Sequence, residues 1–290
     1  MPESRAVGVP RSRTAGQDRQ LLQLNHCYGV LDAVTADAVG KSEYLRTFAG
    51  CHPRTTTDDS RTWTGWYLMG RTTYLELFKV GDVPGQEAEL GSAGVGLSVE
   101  RAGELAAVAG RLPVLGVPTP VERRQTRDFG DGVVVPWFRA VYPGQTYDTC
   151  RIWGMEYEQS YFADPRSKSG PAAHPGDVSR ERYLDDYYRA GHLRDLTAVR
   201  VAVTANDLAG SVPLLRAGGY TVREEPGSVV AVGGGTVLRF DAVPRAAAGL
   251  RQVDMALLAP MPRAHSEKIG NSTLTVGPGP RAVWTFAPNA

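Results

Sequence analysis

Cysteine is scarce in this chain. Cys27, Cys51 and Cys150 are the only three in 290 residues, too few and too scattered for a disulfide framework or a zinc cluster. A reducing compartment, the cytoplasm, is the expectation that follows. An excess of charge is missing too: 32 basic residues stand against 31 acidic ones, which leaves no electrostatic footprint for nucleic acid or an anionic membrane. The one basic cluster, Glu122-Arg123-Arg124-Gln125-Thr126-Arg127, has acidic neighbours and strand-like alternation, and reads as a solvated face. No apolar run approaches the roughly twenty residues needed to span a bilayer. Residues 1–20 are rich in Arg, Ser, Gly and Pro without an apolar centre, so they are expected to form a disordered tail rather than a secretory signal.

What is present suits a folded α+β protein. Apolar residues make up 42% of the chain, enough for a real core, and the length allows one large domain or two ordinary ones. Residues 21–31 read as a strand and 35–48 as a helix, with Ala38, Tyr44, Leu45 and Phe48 on its apolar side. Residues 55–57 and 62–69 follow as a hairpin across Asp58-Asp59-Ser60, and 73–78 as a closing strand. The pattern then restarts: a strand at 95–99, a helix at 102–112, a hairpin from 120–129 and 133–142, and a strand at 151–157. In this register Tyr74-Leu75-Glu76-Leu77 corresponds to Gly154-Met155-Glu156-Tyr157.

Residues 165–177 form a polar linker, followed by a charged, tyrosine-rich helix at 179–190. A third copy occupies 199–240, with its hairpin turning at Gly233-Gly234-Gly235. A fourth, nearly without a helix, is expected at 252–258, 272–276 and 281–286. The expected organisation is therefore a tail (1–20), an N-terminal lobe of two units (21–164), a linker with its helix (165–194) and a degenerate C-terminal lobe (195–290).

Chemistry-bearing residues concentrate in the first lobe. Period-two alternation puts His26, Tyr28 and Val30 on one face of the first strand and Tyr74, Glu76 and Phe78 on one face of the fourth. Trp63, Trp66, Trp137 and Trp153 all fall on strands of this lobe, where they would pack in the core or line a pocket for a flat ligand. His52, His174 and His265 sit in polar or Pro-flanked stretches, and His192 is placed to cap the linker helix. Ser98 lacks nucleophile-elbow spacing, which removes acyl transfer.

Tandem β-α-β-β-β units with His on the first strand and Glu on the fourth resemble the vicinal oxygen chelate superfamily of glyoxalases, extradiol dioxygenases and bleomycin-resistance proteins. The segments Leu24-Asn25-His26, Gly65-Trp66-Tyr67, 73–78, Pro136-Trp137-Phe138, Met155-Glu156-Tyr157 and 282–286 are more similar still to an uncharacterised glyoxalase-like family. The resemblance implies tandem βαβββ modules whose paired, curved mixed sheets enclose a cavity. It also implies a divalent metal (Fe, Mn, Ni or Zn) on His26, Glu76 and Glu156, one ligand short of the glyoxalase pattern.

On that reading Glu76, Glu156 and Tyr28 would be catalytic, and Trp66, Trp137 and Trp153 would line the substrate site. Glu158, on the same face two residues on, is a substitute for Glu156. The third and fourth units keep neither ligand. The implied activity is a lyase, isomerase or dioxygenase reaction on a small oxygenated metabolite. Two alternatives remain: sequestration of a small ligand, and metal-free proton transfer or cyclisation by Glu76 or Glu156. A homodimer is compatible with the resemblance, although two units in one chain could complete a site.

Overall fold

The computed structural model describes residues 19–58, 60–184 and 187–288. The expected tail lies outside these residues except for Arg19, whose guanidinium meets Glu104, and Gln20, whose amide donates to the Leu22 carbonyl. Asp59, in the first hairpin turn, and Asp185 and Asp186, in the linker helix, also lie outside.

The first module runs β1 (Gln23–Leu31), α1 (Ala33–Lys41), α2 (Glu43–Ala49), β2 (His52–Thr57), β3 (Thr62–Met69) and β4 (Tyr74–Lys79). The single helix expected at 35–48 is two, because Ser42 is extended (φ −73°, ψ 105°) and its hydroxyl accepts from the Leu45 N–H, capping a new helix. The second module runs β5 (Ala93–Ser98), α3 (Glu104–Arg111), β6 (Val121–Asp128), β7 (Val134–Tyr142) and β8 (Cys150–Tyr157). Their strands form one closed barrel in the order β1-β4-β3-β2-β6-β7-β8-β5. The seams are the antiparallel β1–β5 pair and the short β2–β6 contact at Thr57 and Asp128. Within each module the helical crossover makes the first and fourth strands parallel, β1 with β4 and β5 with β8.

After α4 (Gln159–Ala163) and α5 (Arg180–Leu184), the third module comprises β9 (Leu193–Val203), α6 (Ala205–Ala217), β10 (Thr221–Glu225), β11 (Ser228–Gly233) and β12 (Thr236–Ala242). Its hairpin turns on Gly234 and Gly235, both at positive φ (56° and 74°), the conformation a tight two-residue turn requires. The fourth copy exists and lacks its helix: β13 (Gly249–Met261), β14 (His265–Ile269), β15 (Ser272–Val276) and β16 (Gly279–Phe286). Together these strands form an open sheet, β10-β11-β12-β9-β13-β16-β15-β14. The lost helix changes the topology. Without a crossover to carry the chain back, β13 turns directly into β14, and β13 pairs with β16 antiparallel instead of parallel.

Carboxylates tie the open sheet to the barrel. Asp207 at the start of α6 accepts from the N–H groups of Asp148, Thr149 and Cys150 (2.7–2.9 Å). Asp195 on β9 accepts from the N–H groups of Thr72 and Thr73 just before β4. Gly29 on β1 sits where an added Cβ would lie 3.0 Å from the Leu250 Cβ, and one continuous apolar core runs through both sheets. Among the described residues no helix is long and apolar enough to cross a membrane.

Candidate active site in the barrel

Side chains on alternate positions of the barrel strands enclose a cavity of about 110 Å³. That is several times the space one water needs. His26 and Tyr28 enter from β1, Trp63 from β3, Tyr74, Glu76 and Phe78 from β4, and Trp153 from β8. Neighbouring β5 makes room for them. A Cβ on Gly94 would lie 2.1 Å from the Tyr28 ring, and one on Gly96 would lie 2.6 Å from Cε1 of His26. Glycine at these two positions is what lets two rings lie against the strand backbone.

His26 is held from behind. A register shift between Leu24 and His26 turns the Asn25 side chain inward as well. The Asn25 amide donates to Ser98 Oγ (3.1 Å) and the Tyr157 hydroxyl (3.2 Å), and its Oδ1 lies 2.8 Å from His26 Nδ1. With the amide N–H groups engaged, Oδ1 accepts; the imidazole proton therefore sits on Nδ1, and the Nε2 lone pair is free. The ring stacks on Tyr74 (4.5 Å between centroids, 15° between planes) and meets the edge of Trp153. Burial lowers its pKa to about 3, so it is neutral across the physiological range.

Glu76 stands beside it, one register step along the β1–β4 pair: His26 faces Tyr74 and Tyr28 faces Glu76. The accessible part of Glu76 lies on the cavity wall. Burial pushes its pKa up to about 8, against the lowering effect of the Arg54 charge and of a hydrogen bond from Tyr67, directly opposite on β3. Further along the wall Glu87 accepts from Arg151 (2.8 Å) and lies 3.5 Å from Arg61, so charge there is largely compensated within the protein.

Three polar atoms are left without partners in this one cavity. The Tyr28 hydroxyl and the indole N–H groups of Trp137 and Trp153 are buried and unbonded, three of the five such side-chain atoms among the described residues. Unpaired buried donors cost about 1–3 kcal/mol each, and all three belong to side chains of this one wall.

Two expected site residues are elsewhere. Glu156 points to the outer face of the barrel, where it accepts from the N–H groups of Gly103 (2.9 Å) and Leu105 (3.1 Å) at the start of α3 and pairs with Arg139. The error in expectation was one residue of register: Trp153, not Gly154, is the inward position, and in a strand a single-residue slip inverts the face. Glu158 is no substitute, being paired with Arg124 at 3.0 Å. Trp66 likewise faces outward, its ring against Gly40 of α1. Trp63, three residues earlier and therefore of opposite parity, lines the cavity instead.

The solvated reading of the basic cluster fails in part. Arg123 and Arg124 are exposed, but a register shift between Gln125 and Thr126 turns Gln125 to the cavity and sets Arg127 over the Trp137 ring. Glu87, Arg61 and Arg151 carried no sequence signal, since Glu87 falls in a Gly/Pro-rich connection, Arg61 in a loop and Arg151 at the start of β8.

The donor set does not fit the implied metal centre. His26 and Glu76 are two donors, and the second module, which should supply the others, offers glycines 94 and 96 on β5 and Arg151 and Trp153 on β8. Among the described residues no three His, Cys, Asp or Glu side chains group as metal ligands.

The architecture defines an α+β protein of tandem glyoxalase-like βαβββ modules curled around a cavity. A crystal structure of a hypothetical protein from Staphylococcus aureus shares this fold, with a TM-score of 0.56 at 13% identity over 88% of this chain and 98% of that one. An extradiol ring-cleaving dioxygenase from B. fuscum aligns with a TM-score of 0.39 at 12% identity, over 80% of this chain and 56% of its own. A catechol 2,3-dioxygenase aligns with a TM-score of 0.35 at 14% identity, over 93% and 91%. No curated protein matches. Residues 24–286 match DUF5829, a family of unknown function, and the chain belongs to that family.

Proposed function

We propose that this protein is a vicinal-oxygen-chelate relative whose barrel cavity binds a small, planar, oxygen-bearing molecule and catalyses metal-free proton transfer on it through Glu76. The observation that carries this reading is that three side chains with partnerless buried donors, Tyr28 Oη, Trp137 Nε1 and Trp153 Nε1, line the same cavity as the buried Glu76 carboxyl group.

The chemistry follows from roles. A ligand carbonyl oxygen would accept from the orphaned donors, which are preorganised for negative charge developing on that oxygen. The Glu76 carboxylate takes a proton from the adjacent carbon, the C–H electron pair moves into the C–C bond and the carbonyl becomes an enolate. Return of the proton to the same carbon regenerates the Glu76 carboxylate and gives exchange. Where that carbon bears a hydroxyl, passage of the hydroxyl proton to the enolate oxygen and return of the carbon-bound proton to the former carbonyl carbon gives isomerisation. Neither outcome needs an oxidant. A carboxyl group with a pKa of about 8 suits this work, since both protonation states are populated near neutral pH. His26 Nε2, a neutral acceptor, would orient a neighbouring ligand hydroxyl.

The test is solvent exchange. Planar aryl ketones are incubated with the protein in D2O, and loss of the proton α to the carbonyl is followed by NMR. Catalysed exchange that vanishes in Glu76→Gln, while tryptophan quenching still reports binding, supports the proposal. Exchange that persists in Glu76→Gln would refute it, and tight binding with no exchange in the unaltered protein would leave a sequestering cavity instead.

A further inference from the structure

A second pocket, of about 280 Å³, opens beside the first and shares none of its lining residues. The geometry points to a binding site for a small planar organic carboxylate. Its cations are Arg54 from β2, Arg127 from β6 and Lys168, and its rings are Phe129, Tyr161 and Tyr183. No Asp or Glu among the described residues lines it. Arg166, the fourth cation on the wall, is committed to Asp164 and Asp131, whereas Arg54, Arg127 and Lys168 form no ion pair with any described residue.

Arg127 is the strongest pointer. One of its guanidinium nitrogens donates to the Tyr161 hydroxyl (3.2 Å), and the group lies over Phe129 and Trp137 at 5.3 and 5.2 Å. Its Nε–H is buried without a partner. Arg54 packs against the rings of Tyr67 and Tyr183, and the only hydrogen bond its guanidinium makes among the described residues is a long one, 3.4 Å, to the Tyr183 hydroxyl. Two guanidinium groups stacked on aromatic faces, each with donors unused, match a planar anion: the carboxylate takes the N–H groups and an aryl body lies among Phe129, Tyr161 and Tyr183.

Lys168 adds a third cation to the wall. It is the one non-glycine residue described at positive φ (53°), directly after the short 3-10 turn Pro165–Ser167, and it lines the pocket while remaining exposed.

The partition between the two cavities is aromatic. Trp137, which lines the first, has Arg127 over its ring and lies 6.3 Å from Tyr183 of the second, and Tyr183 in turn lies 6.3 Å from Tyr74. The carboxylate site is therefore a neighbour of the proton-transfer cavity, electrostatically linked to it through Arg54 and Glu76, while its own binding does not require proton transfer there.

Calorimetric titration of the full chain with benzoate, and with benzamide as its neutral isostere, tests the assignment. Benzoate should bind and benzamide should bind at least about tenfold more weakly, the difference one charge-assisted hydrogen bond makes. Arg127→Gln and Lys168→Ala should each weaken benzoate by about tenfold or more, Arg127→Lys by less, and Tyr28→Phe, in the other cavity, not at all. Lys168 is exposed, so its variant keeps the test decisive if Arg127→Gln fails to fold. Equal affinity for the two probes, no benzoate binding up to about 10 mM (a binding energy under ~3 kcal/mol), or a loss that follows Tyr28→Phe rather than Arg127→Gln and Lys168→Ala would overturn it.

Discussion

Gly96 and the imidazole of His26 occupy what would be the same space if Gly96 carried a side chain: an added Cβ would stand 2.6 Å from Cε1 and 2.9 Å from Trp153. The ring cannot retreat, because Asn25 holds its Nδ1 and Tyr74 stacks on its face. Gly96→Ala should therefore destabilise the fold by roughly 1–3 kcal/mol through overpacking. Paired with His26→Ala it should cost less than the sum of the two single changes, which a double-mutant cycle by chemical denaturation measures. Additivity would mean the two residues are not in competition.

Glu76 makes stability depend on pH in a stated direction. Its folded pKa of about 8 lies above the unfolded value of 4.5, so the folded state holds a proton that the unfolded state has released. Stability therefore falls as pH rises from about 4.5 through 8 and levels off beyond. Glu76→Gln, which cannot ionise, should equal the parent near pH 4.5 and exceed it at pH 8.5 by an amount on the order of a few kcal/mol. Parallel melting curves at the two pH values decide this; a constant offset would contradict the raised pKa.

His26 acts at the acid end with the opposite sign. Its folded pKa of about 3 lies below the unfolded 6.5, so its contribution is complete above pH 6.5 and is lost as pH falls toward 3. A His26→Gln variant should show a flatter loss of stability between pH 6.5 and 4 than the parent, whatever its stability at pH 7.

Glu156 should prove structural. Replacing it with Gln removes the negative charge from the first turn of α3 and from Arg139. The expected cost is about 1–3 kcal/mol of stability with ligand affinity in the barrel unchanged. A variant with normal stability and abolished binding would return Glu156 to the site.

Metal content separates the chelate expectation from the donor set observed. Protein purified without chelators should hold Fe, Mn, Ni and Zn well below one equivalent by elemental analysis, because two protein donors make a weak site. A stoichiometric metal that disappears in His26→Ala would reinstate the metal centre.

Much of the architecture was legible because it repeats. Strand runs at 21–31, 62–69 and 151–157 and the return of the same order in the third unit gave the modules, and even the fourth, helix-free copy was visible as three strands. Half of the site was legible too: parity on β1 and β4 placed His26, Tyr28 and Glu76 in one cavity. What failed was alignment between repeats. The second module has no ligand to anchor its register against the first, and Glu156 filled the gap by similarity while lying one residue out of phase. Trp66 failed for the same reason, since parity counted from Tyr67 would have selected Trp63. The pocket at Arg127 depends on a bulge in β6, and a bulge leaves no trace in alternation until the partner strand is known.

The absent helix of the last repeat has a lasting effect. In the barrel, each half begins with a strand parallel to its fourth, so a rotation relates them and can bring corresponding positions face to face. In the C-terminal sheet that rotation is broken, because in the last repeat the fourth strand, β16, runs antiparallel to its first, β13. No set of point substitutions could rebuild a mirrored pair of ligand positions there. Only an insertion of about a dozen residues, long enough to carry the chain back across the sheet, would restore that symmetry.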